Sequence, residues 1–416
     1  MNAHSVPARS GSPLDGLGNR RLLRELAYVG GRWTAGAGAA SFAVVDPSNG
    51  MPIARAAALD ADQATGAIDA AHTALPAWRA LLPQQRGAIL RRWFELIVAA
   101  RDDLALIMTL EQGKPLRESL GEIDYAAAFV EWYAEEGKRL NAEGVSSHLP
   151  GAQMIVTRQP VGVVGIVTPW NFPSAMLTRK AAAALAAGCT VVAHPSSVTP
   201  LSALALAELG ERAGLPAGVF NVVTGDAATI VGRLCADARV RAMSFTGSTE
   251  IGRLIAAQCA PTMKRLVMEL GGHAPLIVFD DADLDRAVEI GAKFAPPGQD
   301  CLAATRIYVQ RGIYDRFCAA FARRVAALTL GAGIDDPDIG PLMHERALAK
   351  VEAHVEDALA RGARCLAGRR RAREGSLFYA PTLLVDVPDD ALVMREETFG
   401  PVAAVTPFAT EEEGVA

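Results

Sequence analysis

Hydrophobic and polar positions repeat with two different periods in the first 140 residues. Alternating apolar positions between Gly- and Pro-rich turns predict short strands over residues 26–57. Residues 60–140 follow a helical period instead, with apolar side chains at the i, i+3 and i+4 positions of one face. This predicted face contains Ile89, Leu90, Trp93, Phe94, Ile97 and Val98. We therefore expect a few strands and then a run of helices, with these aromatic side chains in the core.

From residue 161 onward, short apolar runs alternate with helical stretches. Strands are predicted over residues 161–167, 190–193, 220–223 and 242–245. Helices are predicted over residues 175–187 and 201–213, and from Asp226 and Thr249. Repeated strand–helix units predict a parallel sheet that is covered by helices on both faces. Because such sheets bind ligands beyond the carboxyl ends of their strands, the loops after these strands are the expected site.

A second α/β domain is predicted after the first. It begins with a strand at residues 276–278 and contains long helices over residues 314–328 and 345–360. The polar stretch 141–158, between the first helices and the sheet, predicts a protruding hairpin. Residues 1–20 are rich in Gly, Pro and Ser without an apolar segment, which predicts a disordered leader rather than a secretory signal.

Composition narrows the classes of function. At 416 residues the chain is too long for one core, and its 50% hydrophobic and 21% charged residues are ordinary for globular proteins. The net charge of −5 provides no basic field for nucleic acid, and no window reaches the ~18 apolar residues of a membrane span. The six cysteines include no C-x-x-C pair, so neither a zinc site nor a disulfide framework is indicated, and a reducing, cytoplasmic setting is expected.

Two loops at predicted strand ends have residues suited to ligand binding. Thr168-Pro169-Trp170-Asn171-Phe172-Pro173 is either a structural turn with a buried Trp or a loop in which the Asn171 amide donates a hydrogen bond to an oxyanion. Phe245-Thr246-Gly247-Ser248-Thr249-Glu250-Ile251-Gly252 joins a strand to a helix, where backbone N–H groups and the helix N-terminus favour a phosphate. One G-x-x-x-x-G pattern is a weak signal, and its position at a strand–helix junction strengthens it.

Two further residues have the chemistry of a covalent mechanism. Glu269 lies in an apolar strand before Gly271-Gly272, where it is either an ion-pair partner or a general base whose pKa is raised by burial. Cys301 follows the turn Gly298-Gln299-Asp300, a typical place for an accessible thiolate nucleophile. Most of the other cysteines are interpreted as small buried hydrophobic residues.

Together these segments resemble the aldehyde dehydrogenase superfamily from about residue 28 to the end of the chain. Pro-Trp-Asn, Phe-Thr-Gly-Ser-Thr-x-x-Gly, Glu-Leu-Gly-Gly, Gly-Gln-x-Cys and Glu-Glu-Thr-Phe-Gly-Pro-Val occur in order. Segments 131–139, 178–181 and 277–285 are most similar to succinate-semialdehyde dehydrogenases. The implied fold is α/β, with a Rossmann-type cofactor domain, a second α/β catalytic domain and an oligomerisation arm. Their implied ranges are residues 21–140 with 162–270, residues 271–416, and residues 141–161.

The resemblance also implies a mechanism. Cys301 would attack the aldehyde, Asn171 and the Cys301 backbone N–H would hold the oxyanion, and Glu269 would activate the water that hydrolyses the thioester. Lys180 would support the hydrogen bonds on the oxyanion side, and Arg179 would pair with a substrate carboxylate.

The implied cofactor is NAD or NADP. The residues implied to bind it are Thr168, Trp170, His194, Ser197, Gly225, Gly247, Ser248, Gly252, Glu397 and Phe399. Among them, Glu397 and Phe399 would position the nicotinamide ribose and ring.

Several departures from the family pattern bear on function. His194 stands in place of a ribose-binding lysine and Ser197 in place of a frequent glutamate, so weak discrimination between NAD and NADP is expected. Ala295 removes a second carboxylate-binding arginine, and Pro296-Pro297 removes two backbone donors before the nucleophile. Family sequences continue beyond the point that corresponds to residue 416, so the catalytic domain is expected to be incomplete at its C-terminal end.

The leading hypothesis is NAD(P)-dependent oxidation of an aldehyde, most consistent with succinate semialdehyde. One alternative is another aldehyde, such as an aminoaldehyde, because Gly-Gln-Asp-Cys resembles those enzymes and Ala295 relaxes the demand for an acidic substrate. Another is a catalytically silent nucleotide-binding paralogue, which His194 and Pro296-Pro297 favour. The expected partners are a small-molecule aldehyde and, in a full-length form, further copies of the chain in a homo-oligomer. No nucleic-acid or membrane partner is expected.

Overall fold

A computed structural model of the chain describes residues 13–293, 298–372 and 375–416. Its strands in chain order are β1 (Ala27–Val29), β2 (Arg32–Thr34), β3 (Ser41–Val45), β4 (Pro52–Ala57), β5 (Glu143–Val145), β6 (Met154–Val156), β7 (Val163–Val167), β8 (Thr190–His194), β9 (Phe220–Val222), β10 (Val240–Thr246), β11 (Arg265–Glu269), β12 (Pro275–Val278), β13 (Arg306–Gln310), β14 (Arg364–Ala367), β15 (Thr382–Val385) and β16 (Val402–Phe408). Its helices in chain order are α1 (Ala61–Ala80), α2 (Pro83–Ala99), α3 (Arg101–Gln112), α4 (Leu116–Glu136), α5 (Pro173–Ala186), α6 (Pro200–Ala213), α7 (Ala227–Ala236), α8 (Thr249–Cys259), α9 (Leu284–Gly291), α10 (Arg311–Ala326), α11 (Glu345–Ala360), α12 (Leu392–Arg395) and α13 (Glu411–Val415). The strand–helix alternation predicted after residue 161 is confirmed.

The described residues divide into two compact units. The first comprises the chain up to Val45, Pro52–Glu111 and Leu120–Glu269. The second comprises Asp46–Met51, Gln112–Ser119 and Leu270–Ala416. Each unit has its own sheet and its own hydrophobic core.

The sheet of the first unit is doubly wound. Its order is β11-β10-β7-β8-β9-β1-β2; the strands from β11 to β9 are parallel, and β1 is antiparallel to its neighbours. From β7 the chain proceeds to β8 and β9 on one side and then returns to β10 and β11 on the other. The order therefore reverses between β7 and β10, which is where sheets of this kind bind ligands.

Helices cover both faces of this sheet. α1, α7 and α8 contribute to one apolar cluster with the strands, and α5 and α6 pack against the strands from the other side. The helical prediction for residues 60–140 is confirmed. On α2, Leu90, Trp93 and Ile97 are fully buried, whereas Val98 is 47% exposed. Val98 is exposed because it lies about 100° further around the helix than Ile97.

The predicted hairpin is confirmed as the antiparallel pair β5–β6. All residues of both strands are exposed, including the apolar Val145, Met154, Ile155 and Val156. The two strands of this hairpin are hydrogen-bonded to each other, and their apolar side chains are exposed to solvent.

The prediction of a disordered leader through residue 20 is wrong for its described part. Leu14 and Leu17 are buried, and the Asp103 carboxylate accepts hydrogen bonds from the N–H groups of Gly18 and Asn19 at 2.8 and 2.9 Å. The Gly-, Pro- and Ser-rich composition predicted disorder, but this segment also contains two leucines that are buried. The segment is ordered because α3, which is distant in sequence, binds its backbone through the Asp103 carboxylate. Residues 1–12 lie outside the described residues.

The sheet of the second unit has the order β12-β13-β16-β15-β14, in which only β14 is antiparallel to its neighbour. α9 and α10 contribute to one apolar cluster, and α11 and α12 contribute to another. The prediction of a long helix over residues 345–360 is confirmed. Ala295, Pro296 and Pro297 lie outside the described residues. Among the described residues, no helix is both long enough and apolar enough to cross a membrane.

Candidate active site

Three polar side chains lie in a row at the carboxyl ends of β7, β10 and β11. Thr246 pairs with Glu269, and Phe245 pairs with Val167, so Thr168 lies beside Thr246 in the next position. Side chains in register on neighbouring strands share one face of a sheet. The hydroxyls of Thr168 and Thr246 are buried and have no hydrogen-bond partner among the described residues. Buried hydroxyls normally have a hydrogen-bond partner, and these two lie at the point where the strand order reverses. They are therefore suited to bind a polar ligand such as a dinucleotide cofactor.

Lys180 lies on α5 at the same face of the sheet. Its Nζ donates a hydrogen bond to Ser244 Oγ at 3.1 Å, and Ser244 lies two residues before Thr246. Burial lowers the pKa of Lys180 to about 8, although the Glu269 carboxylate opposes this shift. The structure thus brings Lys180 close to Glu269 and leaves its charge sensitive to mild alkali.

Glu269 itself is exposed, so the burial that the general-base interpretation assumed is absent in this unit. The predicted apolar strand is present as β11, but its side chains are mostly exposed. β11 is an edge strand whose one partner among the described residues is β10, and four of its five residues are exposed. The Lys180 ammonium and the Glu269 carboxylate interact electrostatically, but they form no salt bridge among the described residues.

Asn171 is 6% exposed and lies in the loop between β7 and α5. α5 begins at Pro173, and its N-cap residue Phe172 forms no side-chain cap. Glu122, from α4, accepts hydrogen bonds from the N–H groups of Ser174 and Ala175 at 2.9 and 3.1 Å. A carboxylate at a helix N-terminus satisfies backbone donors and the helix dipole. Glu122, which the sequence interpretation missed, thereby fixes the start of the helix that follows Asn171.

His194 at the end of β8 is only 2% exposed. Its Nδ1–H donates to the Val223 carbonyl at 2.9 Å, and burial lowers its pKa, so the ring is neutral at pH 7. The short imidazole thus bonds inward, where a lysine would extend further, and the cofactor role of His194 stays a prediction. Ser197, in the turn after β8, is exposed.

The turn from β10 into α8 is held by internal hydrogen bonds. The Gly247 N–H donates to the Glu269 carbonyl at 3.1 Å, and it is thus not available to a phosphate as predicted. Ser248 is the N-cap of α8, and its Oγ accepts from the Ile251 N–H at 3.4 Å. Gly252 lies inside the first turn, where its N–H donates to the Ser248 carbonyl at 3.0 Å. The phosphate-binding role of this turn stays a prediction.

Two other predicted cofactor residues occupy different surroundings. Gly225 forms an isolated bridge with Leu59, so its backbone serves packing within the first unit. Trp170 is half-buried in the loop that leads to Asn171.

Cys301 lies in the second unit and is exposed, whereas four of the other cysteines are buried and Cys365 is half-buried. The prediction of buried structural cysteines is confirmed for those four. Desolvation, the carboxylate of Asp300 and, more weakly, that of Glu397 raise the pKa of Cys301. The thiol rather than the predicted thiolate therefore predominates at pH 7 in this unit, and a base is needed when the sulfur reacts.

The turn before Cys301 is packed against the segment that contains Glu397 and Phe399. Gly298 has a φ of +64°, and a Cβ there would lie 1.9 Å from the Gly400 carbonyl oxygen, so only glycine fits. Burial raises the pKa of the Glu397 carboxyl, against the opposing effects of the Gly272 N–H and the Lys350 ammonium. The structure thus brings the nucleophile turn and the predicted nicotinamide-binding segment together within one unit.

Comparisons with known proteins agree on one family. Residues 33–416 match the model of the aldehyde dehydrogenase family. The chain is 52% identical to the NADP-dependent succinate-semialdehyde dehydrogenase of Escherichia coli, over 96% of this chain and 84% of that protein. It is 51% identical to a glutarate-semialdehyde dehydrogenase of Pseudomonas putida, over 96% of this chain and 84% of that protein. The crystal structure of an NADP-dependent enzyme from E. coli superposes on this chain with a TM-score of 0.95 at 51% identity. The superposed region covers 96% of this chain and 84% of the E. coli chain. The chain therefore belongs to the aldehyde dehydrogenase family, enzymes that oxidise aldehydes with NAD or NADP.

Proposed function

We propose that the chain oxidises a semialdehyde that carries a carboxylate, of which succinate semialdehyde is the first candidate. Arg179 supports this proposal most directly. Its guanidinium lies 4.9 Å from the centre of the Phe129 ring, next to Lys180 on α5, and it forms no ion pair among the described residues. A guanidinium held by an aromatic ring is suited to bidentate pairing with a substrate carboxylate. The semialdehydes named for the E. coli and P. putida relatives both carry one.

We propose the following roles for the protein's own groups. Cys301 Sγ adds to the aldehyde carbon while the Asn171 amide and the Cys301 N–H donate to the oxyanion. Because the pKa of Cys301 is raised, its proton has to leave to a base as the bond forms. NAD or NADP supplies the hydride acceptor when it is bound. Glu269 then takes a proton from the water that attacks the thioester, which releases the carboxylic acid and the Cys301 thiol.

The proposed cofactor site in the first unit is at the carboxyl ends of β7 and β10. Thr168, Trp170 and Ser248 line this edge, and Ser197 follows the adjacent β8. In the second unit, Glu397 and Phe399 are the proposed contacts for the nicotinamide ribose and ring.

We further propose that the exposed apolar hairpin β5–β6 contacts another copy of the chain in a homo-oligomer, and that the enzyme works in a reducing, cytoplasmic compartment. Ile155 is 70% exposed on this hairpin, and an unpaired hairpin edge can accept a further strand.

The substrate proposal predicts a preference that depends on Arg179. Succinate and glutarate semialdehydes should have higher kcat/KM than neutral butanal or cationic 4-aminobutanal. Arg179→Gln should reduce kcat/KM for the acidic aldehydes by about tenfold to a hundredfold, because a charge-assisted pair is lost, and leave butanal unchanged. Steady-state assays of NAD(P)H formation measure both quantities.

Arg212→Gln is the matched control, since Arg212 is an exposed arginine on α6. A preference for 4-aminobutanal, retained in Arg179→Gln, would favour the aminoaldehyde alternative. No turnover of any aldehyde would favour the silent paralogue.

The lowered pKa of Lys180 predicts how the rate of aldehyde oxidation changes at alkaline pH. Its pKa is lowered from the usual 10.5 to about 8, so the ammonium is present below about pH 8 and lost above it. The rate should therefore fall above pH 8. Lys180→Arg should remove that fall, because a guanidinium remains charged, and Lys180→Gln should reduce kcat about tenfold at pH 7.

Lys264→Arg serves as the control for that profile. Lys264 is also buried with a lowered pKa, but it lies at the amino end of β11 and donates to the Val240 carbonyl. An alkaline limb that persists in Lys180→Arg would show that another group titrates there.

The side chain at position 194 is expected to influence the preference between NAD and NADP. His194→Lys should tighten NADP binding about tenfold, because a lysine reaches beyond the buried imidazole and offers a permanent charge to the 2′-phosphate. Ser197→Glu should have the opposite effect through repulsion. Titration of both cofactors measures these constants, and a strong NAD preference that neither substitution alters would contradict this interpretation of the β8–α6 loop.

A further inference from the structure

One face of α11 holds the segment of residues 396–400. His354 and Thr398 are 3% and 1% exposed, and His354 Nδ1 lies 3.0 Å from Thr398 Oγ1 in a hydrogen bond. One turn earlier on α11, Lys350 Nζ donates to the Glu397 carbonyl. Val351 packs so closely on Gly400 that a Cβ there would lie 2.2 Å from Val351 Cγ2. These contacts join one helix face to three successive parts of the segment.

The segment needs such support because of its backbone. Phe399 has a φ of +55°, which is an unfavourable conformation for an aromatic residue. Strained residues of this kind persist where the surrounding structure fixes them, and they concentrate at functional sites. Glu397, two residues earlier, is half-buried, and its backbone carbonyl accepts a hydrogen bond from Lys350 Nζ. The backbone conformation of this segment is therefore not the one that its residues favour locally. Contacts with the surrounding structure have to stabilise it.

Among the contacts from α11, the one between His354 and Thr398 is the best suited to hold the segment. Both side chains are buried, whereas Lys350 is exposed. Burial and the Lys350 ammonium lower the pKa of His354, against the opposing effects of Glu396 and Asp357. The ring is thus neutral at pH 7, and its contact with Thr398 is an ordinary buried hydrogen bond whose loss leaves a polar atom without a partner.

We infer that His354 is a positioning residue: through its hydrogen bond to Thr398 it fixes the backbone of residues 396–400, so that Glu397 and Phe399 bind the nicotinamide half of the cofactor. This inference rests on the cofactor roles proposed above for Glu397 and Phe399. It assigns no direct contact with the cofactor to His354. The positioning effect should therefore concern the nicotinamide half alone and leave the adenosine half unaffected.

Binding of NAD and of ADP separates the two halves. His354→Leu and Thr398→Val keep the side-chain volume and remove the hydrogen bond. Each should weaken NAD binding about tenfold and change ADP binding by less than about twofold, as measured by calorimetry. The double variant should bind NAD no more weakly than His354→Leu alone, because both substitutions remove the one hydrogen bond and His354→Leu already removes the 3.7 Å contact between Nε2 and the Glu396 carboxylate. His354→Asn, which places an amide near the Nδ1 position, should restore most of the affinity.

Two further variants make the result decisive. Val355→Ala removes buried packing on α11 and keeps the hydrogen bond between His354 and Thr398, so at an equal loss of Tm it should leave the ratio of NAD to ADP affinity unchanged. Glu397→Gln should weaken NAD and spare ADP. If Glu397→Gln does so and His354→Leu does not, or if His354→Leu weakens both ligands equally, the positioning role is wrong. If Glu397→Gln also leaves NAD binding unchanged, the proposed cofactor role of the segment fails, and the inference fails with it.

Discussion

Replacement of Cys301 by alanine is expected to reduce aldehyde oxidation by about 10⁴-fold or more while it leaves NAD and NADP binding within about twofold. The side chain is exposed in its unit, and no other exposed cysteine occurs among the described residues. Without the sulfur, the aldehyde has no covalent attachment from which hydride can leave. Turnover by stopped-flow and steady-state absorbance, together with nucleotide titration, measures both parts of this expectation.

Cys365→Ala is the matched control, because Cys365 is the half-buried cysteine of the same unit. It should retain full activity. A thiol-reactive aldehyde analogue should label the native chain at one site and fail to label Cys301→Ala. Retained turnover in the Cys301 variant would remove the covalent mechanism, and unselective labelling would remove the special role of this thiol.

The second large effect is expected at Asn171. Asn171→Ala should lower kcat by about 10²–10³-fold, the usual loss when one donor to an oxyanion is removed. The substrate KM should change little, because the donated hydrogen bond strengthens only as charge develops on the oxygen. Single-turnover hydride transfer, followed as NAD(P)H absorbance, separates this step from product release.

Two variants distinguish the donor from its support. Asn171→Asp keeps the shape but replaces a donor by an acceptor, so it should be at least as slow as Asn171→Ala. Glu122→Gln keeps an oxygen that can accept from Ser174 and Ala175, and it should be more active than Glu122→Ala. Near-native rates in Asn171→Asp would show that the side chain does not donate to the reacting oxygen.

The sequence by itself determined the elements and the order of the chemical groups. Apolar runs and helical periodicity are local properties, so the strands from Val163 to Thr246 and the helices between them agree closely with their predictions. Because parallel strands place their carboxyl ends at one edge, the same reasoning placed Thr168, Asn171 and Ser248 near a common edge of the sheet. The order of the motifs along the chain is sufficient to identify the family without any tertiary contact.

Only the tertiary structure decided the environment of each group. Glu269 is exposed because its strand is at the sheet edge, and His194 bonds inward because the Val223 carbonyl lies beside it. Glu122 lies 52 residues before Ser174, from whose N–H it accepts a hydrogen bond, and His354 lies 44 residues before Thr398. No local period encodes such pairs. They depend on strand register and helix packing, which bring distant side chains within hydrogen-bond distance only when the whole unit has folded.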